Sequence, residues 1–206
     1  MTTTFLPFSM STKLPGFQDA VHDAQQSFRR ILEALSQPGT MQTITAEIVP
    51  PQSLMPASAV ICLTLFDLEV TVWLQSSLDG DAYHWLLFHT GCHFVSHPGE
   101  AHFALINDSK QCPNLADFHQ GTAEYPEAST TVLIQVPSLT AGNTVQLHGP
   151  GINEQVQISP QVPAHFWPQW QQNVAAYPLG VDVVLICNRQ LLGLPRTTQI
   201  QAPMLA

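Results

Sequence analysis

Charge is what this 206-residue chain has least of: 10% of its residues are Asp, Glu, Lys or Arg, against about 25% in an average soluble domain. The basic side is poorest, six Lys plus Arg against fifteen Asp plus Glu, for a formal net charge of -9. A phosphate backbone demands a basic stripe that this composition does not supply, so nucleic-acid binding is excluded. Any pocket for an anion has to recruit from Arg29, Arg30, Arg189 and Arg196. No apolar run approaches the length of a membrane span, and Met1 to Leu14 lacks a basic n-region with an apolar h-region, which points to a cytoplasmic protein with no membrane partner. Cys62, Cys92, Cys112 and Cys187 are scattered without a C-x-x-C pair, so neither a zinc framework nor a disulfide scaffold is signalled. Gly-x-Ser-x-Gly elbows and Gly-rich phosphate loops are missing too, and nothing marks a self-contained catalytic machine.

Apolar residues are abundant instead, at 45%. With so little charge, much of the surface must be neutral, and such a surface suggests a partner or a self-associated dimer. The length suits one core, so we read residues 1–16 as a loose arm and 17–206 as a single domain. From Phe17, the residues Val21, Ala24, Phe28, Ile31, Leu32 and Leu35 recur at helical spacing, with Asp19 as N-cap and Pro38-Gly39 as a stop. Met41 to Ile48 alternates as a strand does, and Ala57 to Phe66 reads as a helix after a proline-rich loop. Strands are predicted at Val70 to Leu74 and His102 to Ile106, and a helix from Asp79 to His89 with Gly91 at its end. A short helix near Asn114 to His119 follows. Thr130 to Val136 and Thr144 to Leu147 read as strands joined through a turn at Ala141-Gly142-Asn143, and Pro163 to Val174 as a helix. The mixture argues α/β or α+β.

The most telling segments lie near the C-terminus. Tyr177-Pro178-Leu179-Gly180-Val181-Asp182 turns sharply into the apolar run Val183 to Cys187, a strand buried on both faces. Leu191-Leu192-Gly193-Leu194 is then interrupted by Pro195, which leaves Arg196, Thr197 and Thr198 at a strand end. A guanidinium beside two hydroxyls is a competent oxyanion contact, and an ion pair between Arg196 and Asp182 is the structural alternative.

Tyr-Pro-Leu-Gly-Val-Asp and Leu-Pro-Arg-Thr-Thr resemble the closing motifs of the PhnH family, a subunit of the bacterial carbon-phosphorus lyase system that degrades phosphonates. Upstream, Asp23 to Leu35 with Pro38-Gly39 behind it, Phe88-His89-Thr90-Gly91, Pro126-Glu127-Ala128 and Gly149-Pro150-Gly151-Ile152 extend the resemblance along the chain. It implies a three-layer α/β fold with a mixed sheet, related to pyridoxal-phosphate-dependent transferases but without the cofactor. The residues agree with that last point: the lysines, Lys13 and Lys110, lie in an arm and a polar loop, poor places for a Schiff base. The resemblance also implies partnership with the other core subunits in making ribose 1-methylphosphonate 5-triphosphate from ATP and methylphosphonate. In that reading the chain belongs to a multi-subunit transferase and is not catalytic alone. The alternative is a stand-alone enzyme or binding protein whose pocket uses Arg196, Thr197, Thr198, Asp182 and His89, with Arg29 as a further anion contact.

His84, His89, His93, His97 and His102 fall within one stretch with Cys92 among them. Gly91 and Pro98 break any helix that would align them, so we read surface and helix-end histidines and no metal site. His89 lies inside a resemblance-carrying motif, where a helix C-terminus favours its protonated form and suits it to an anion or a helix cap. On the first helix Arg29 and Arg30 project about 100° apart, so at most one of them faces a site.

Overall fold

In a computed structural model of the chain, which describes residues 14–78 and 80–201, the run expected as a buried strand lies inside the main sheet. The elements in chain order are α1 (Ala20–Ser36), β1 (Gln42–Thr43), α2 (Pro56–Leu65), β2 (Thr71–Leu74), α3 (Gly80–Thr90), β3 (His93–Phe94), β4 (Phe103–Ile106), β5 (Thr131–Gln135), β6 (Val145–His148), β7 (Val156–Ile158), α4 (Phe166–Ala175), β8 (Asp182–Cys187), β9 (Gln190–Leu194) and β10 (Gln199–Gln201). Seven strands form one sheet in the order β1-β9-β8-β5-β4-β2-β3, and three form another in the order β10-β6-β7. From β3 across to β8 the large sheet is parallel, while β9 pairs antiparallel with both β8 and β1, so the sheet is mixed and the fold is α/β.

Both faces of the sheet are covered, which explains its continuous apolar runs. Leu105, Leu133, Val184 and Ile186 point to one side, where Ile31 and Ala34 of α1, Ala59 to Cys62 of α2, and Trp85 and Leu86 of α3 pack on them. Ala104, Ile106, Val132, Ile134, Val183 and Leu185 point to the other, against Phe166 and Trp170 of α4, Leu147 and Ile158 of the small sheet, and Leu115 and Phe118. Alternation along each strand thus feeds two cores from one sheet.

Asp19 caps α1 as its sequence requires, its side chain accepting from the His22 N–H at 3.0 Å. The buried face of that helix differs from the expected stripe. Ser27, Ile31 and Ala34 face inward, while Val21 at 84%, Phe28 at 49% and Leu32 at 55% are exposed. Backbone contact decides the rotation: Gly193 of β9 sits directly beneath the Ala34 carbonyl, so the small-residue face makes the closest approach.

Two further expectations need correction. Met41 to Ile48 is a strand only at Gln42–Thr43, because the Arg189 side chain takes the Ile44, Thr45 and Ala46 carbonyls and leaves the segment no ladder to continue. The strands at Thr130 to Val136 and Thr144 to Leu147 do not form a hairpin, since β5 lies in the large sheet and β6 in the small one. Strands β3, β7 and β10 are too short to have a periodicity. Helix α3 and the 3-10 turn Leu115–Asp117 lie where helices were expected, and Asp79 lies outside the described residues.

Side-chain amides fasten the loops. Gln75 accepts from the Asn107 and Asp108 N–H groups and donates to the Asp108 carbonyl. Gln135 bridges Met55 N–H and Ser53 O, and buried Asn173 holds both backbone groups of Val181. Each amide satisfies backbone groups that a buried loop would otherwise strand.

Candidate functional site

Arg196 follows the strand-ending Pro195, and Asp182 opens β8, so the two meet at the amino ends of the parallel strands. The guanidinium is fully engaged. Its Nε donates to Asp182 Oδ1 at 3.2 Å, and Nη2 donates to Asp182 Oδ2 at 2.6 Å and to Ser129 Oγ. Nη1 donates to Pro126 O at 2.8 Å and Pro178 O at 3.5 Å, and the Arg196 backbone N–H adds a bond to Asp182 Oδ1 at 2.8 Å. All five side-chain donors of an arginine are thereby used. An anion reaching Arg196 has to displace one of these internal partners.

Of the neighbouring threonines, Thr198 is turned to the fold. Thr198 is 0% exposed, its backbone N–H bonds Pro195 O at 2.8 Å, and its carbonyl accepts from Trp170 Nε1 at 2.9 Å. Its hydroxyl is buried with no hydrogen-bond partner among the described residues. Thr197 is half-buried, and its carbonyl lies where a β-carbon on Gly149 would come within 2.9 Å. Gly149 has φ 135 and Gly151 φ 79, so both adopt backbone that glycine permits, and Gly151 closes on Ser36 O and Pro38 at the end of α1.

His89 and Arg29 are not part of this cluster. His89 lies in the last turn of α3, where Nε2 donates to Leu14 O at 3.0 Å and the ring packs 4.8 Å from that of Trp85, whose Nε1 bonds the same carbonyl at 3.1 Å. Leu14, which was assigned to the loose arm, is therefore held by two donors. Thr90 bonds Leu86 O and accepts from Cys92 N–H, closing the helix end. Arg29 is exposed on α1 and has no side-chain partner among the described residues.

Among the described residues no three His, Cys, Asp or Glu side chains are grouped to hold a metal ion, and His84, His93, His97 and His102 are exposed. Lys110 is exposed on the 3-10 turn Ser109–Gln111, and Lys13 lies outside the described residues. The four cysteines are free. Burial pushes the Cys62 thiol well up, with the nearby Cys92 adding to it, raises Cys92, and takes Cys112 to about 12. Such thiols are poor nucleophiles.

The family model for bacterial phosphonate metabolism protein (PhnH) matches residues 15–201. The chain belongs to the PhnH family. It is 35% identical over 187 residues to the α-D-ribose 1-methylphosphonate 5-triphosphate synthase subunit PhnH of Rhizobium meliloti (strain 1021), covering 90% of this chain and 94% of that one. It is also 38% identical over 81 residues to the putative C-P lyase subunit protein HtxG of Stutzerimonas stutzeri, across 39% of this chain and 42% of that one.

The PhnH motifs other than Phe88-His89-Thr90-Gly91 meet in space. Pro126, the Tyr177-to-Asp182 turn and Arg196 share one network, and Gly149 and Gly151 join Thr197 to the end of α1. Sequence reasoning found the Arg196–Asp182 pair as one of two alternatives. It missed Ser129, the Pro126 and Pro178 carbonyls and Trp170, because backbone acceptors and partners 67 or 70 residues away leave no local signal.

Proposed function

We propose that this chain acts in phosphonate catabolism as a subunit of the carbon-phosphorus lyase core assembly, supporting synthesis of α-D-ribose 1-methylphosphonate 5-triphosphate from ATP and methylphosphonate. The observation that carries this reading is similarity over nine-tenths of the chain to a protein named as a subunit of that synthase. Chemistry is left to the partners. The absence of nucleophile and cofactor motifs in the sequence and the raised cysteine thiols support an accessory role.

In this reading the helical layer meets partner protein. Val21, Phe28 and Leu32 on α1 and Tyr83, Leu87 and Phe88 on α3 are exposed, and large apolar side chains on a sparsely charged surface gain by burial against another subunit. Made alone in the cytoplasm, the chain pairs with a second copy. We further read residues 17–206 as one domain after an arm, with a fold related to pyridoxal-phosphate-dependent transferases that has shed the cofactor. Arg196, Asp182, Thr197 and Thr198 are assigned to holding the amino edge of the sheet in shape, and His89 to pinning Leu14. A stand-alone enzyme with an oxyanion pocket on Arg196 is the lesser reading, since its guanidinium is saturated internally.

Co-expression with the other pathway subunits, with a tag on this chain, tests the proposal. A complex visible in native mass spectrometry that turns over ATP and methylphosphonate is expected. Recovery of this chain alone from cells making every partner refutes it.

A further inference from the structure

Arg189 lies in the turn directly after β8, at the carboxyl end of the parallel strands, the edge where open α/β sheets generally receive ligands. It is pinned there. Nε donates to Ile44 O at 3.2 Å, and Nη2 donates to Thr45 O at 2.9 Å and Ala46 O at 2.8 Å. These neutral carbonyls satisfy three donors but leave the charge unbalanced, and Nη1 has no partner among the described residues. Beside the side chain lies a cavity of about 230 Å³ lined by Arg189, Glu47, Gln18, Pro15, Ile48 and Val49, with the Gly16 backbone. Glu47 is exposed and makes no ion pair with Arg189 or any other described residue. Because three carbonyls fix Arg189, the two charges of the cavity do not close on each other.

We propose that this cavity is a binding site for a small zwitterion, an ammonium and an oxyanion joined by a short alkyl spacer. Arg189 Nη1 takes the oxyanion, Glu47 takes the ammonium, and Pro15, Ile48 and Val49 cover the spacer. Such a ligand satisfies both charges at once, whereas a simple anion is repelled by Glu47 and a simple amine by Arg189. The volume lies below the roughly 300–1,000 Å³ of drug-sized pockets, which limits the ligand to a few heavy atoms.

The test is titration of the full chain, followed by calorimetry and by the Arg189 Nε–H signal in NMR, with matched probes: β-alanine against propionate, and 2-aminoethylphosphonate against ethylphosphonate. The zwitterion of at least one pair is expected to bind about fivefold more tightly than its anion, the worth of an exposed ion pair. The pair that shows the preference tells a carboxylate site from a phosphonate site. Glu47→Gln, at an exposed position that leaves the fold alone, is expected to erase the preference without weakening the simple anion. The proposal is overturned if neither zwitterion binds by about 10 mM, if neither outbinds its anion, or if the preference survives in Glu47→Gln. None of these results bears on whether the chain joins the synthase.

Discussion

Replacing Arg196 with methionine distinguishes a structural clasp from an anion contact. The change keeps the methylene stem and removes five side-chain hydrogen bonds, stranding the Asp182 carboxylate, the Ser129 hydroxyl and the Pro126 and Pro178 carbonyls. Breaking one side of a buried pair costs about 3–5 kcal/mol. The Arg196 and Asp182 side chains are 12% and 25% exposed, and Asp182 keeps the Arg196 backbone N–H, so the low end, about 3 kcal/mol, applies. For a chain of this size that corresponds to a fall in Tm of about 6–12 °C.

The assay is thermal unfolding followed by far-UV circular dichroism, with urea titration as a check on cooperativity. Pairing Arg196→Met with Asp182→Asn removes the uncompensated charge and should recover about 1 kcal/mol of the loss. A fall of less than about 2 °C for Arg196→Met, with no recovery in the double variant, refutes the clasp and frees Arg196 for a ligand. A loss of phosphonate-dependent growth by itself does not decide between the roles, since an unstable subunit also fails to support growth.

Thr198→Val exchanges an unpartnered buried hydroxyl for a methyl group and should leave stability unchanged or raise it by about 1 kcal/mol, read from urea midpoints; a clear loss means the hydroxyl has a partner. Gly193→Ala sets a β-carbon against the Ala34 carbonyl and should cost about 2–3 kcal/mol by forcing α1 off β9; an unchanged melting curve rejects that packing. Asn173→Ala strands both backbone groups of Val181 and should cost about 2–3 kcal/mol, with hydrogen exchange quickening at Val181. Upward-shifted thiols lower the thiolate fraction at a given pH: a thiol at about 12 is only about one part in ten thousand thiolate at pH 8. Cys62 and Cys92, which are buried, should accordingly react with a thiol reagent at pH 8 only on unfolding, and part-buried Cys112 slowly; ordinary rates for Cys62 or Cys92 in the folded chain contradict their burial.

Much of the fold was legible because strong local signals agreed with tertiary packing. The branched run Val183 to Ile186, the capping Asp19 and the proline that ends β9 each act within a few residues, and the structure keeps all three. What escaped was decided at long range. The Met41 to Ile48 strand is cut short by an arginine 145 residues from its first partner, and α1 turns its Phe28 outward because a glycine on another strand admits Ala34 more closely than any larger residue. Periodicity reports which faces of a helix are apolar. It does not say which of two apolar faces finds the sheet.

The candidate site divides along the same line. Pro126, Pro178, Asp182, Gly149, Gly151 and Arg196 were singled out because they carry the family resemblance, and the network and close contacts they make seal the amino edge of the sheet and the end of α1. Ligands of open α/β sheets generally lie at the opposite edge, where the amide clasps of Gln75 and Gln135 and the pinned Arg189 are found. The resemblance therefore reports architecture more directly than chemistry: a chain needs these turns to close the fold whether or not it touches a substrate. The charges that line the cavity at that edge, Arg189 and Glu47, carry no motif, and only the cavity beside them brought them into view.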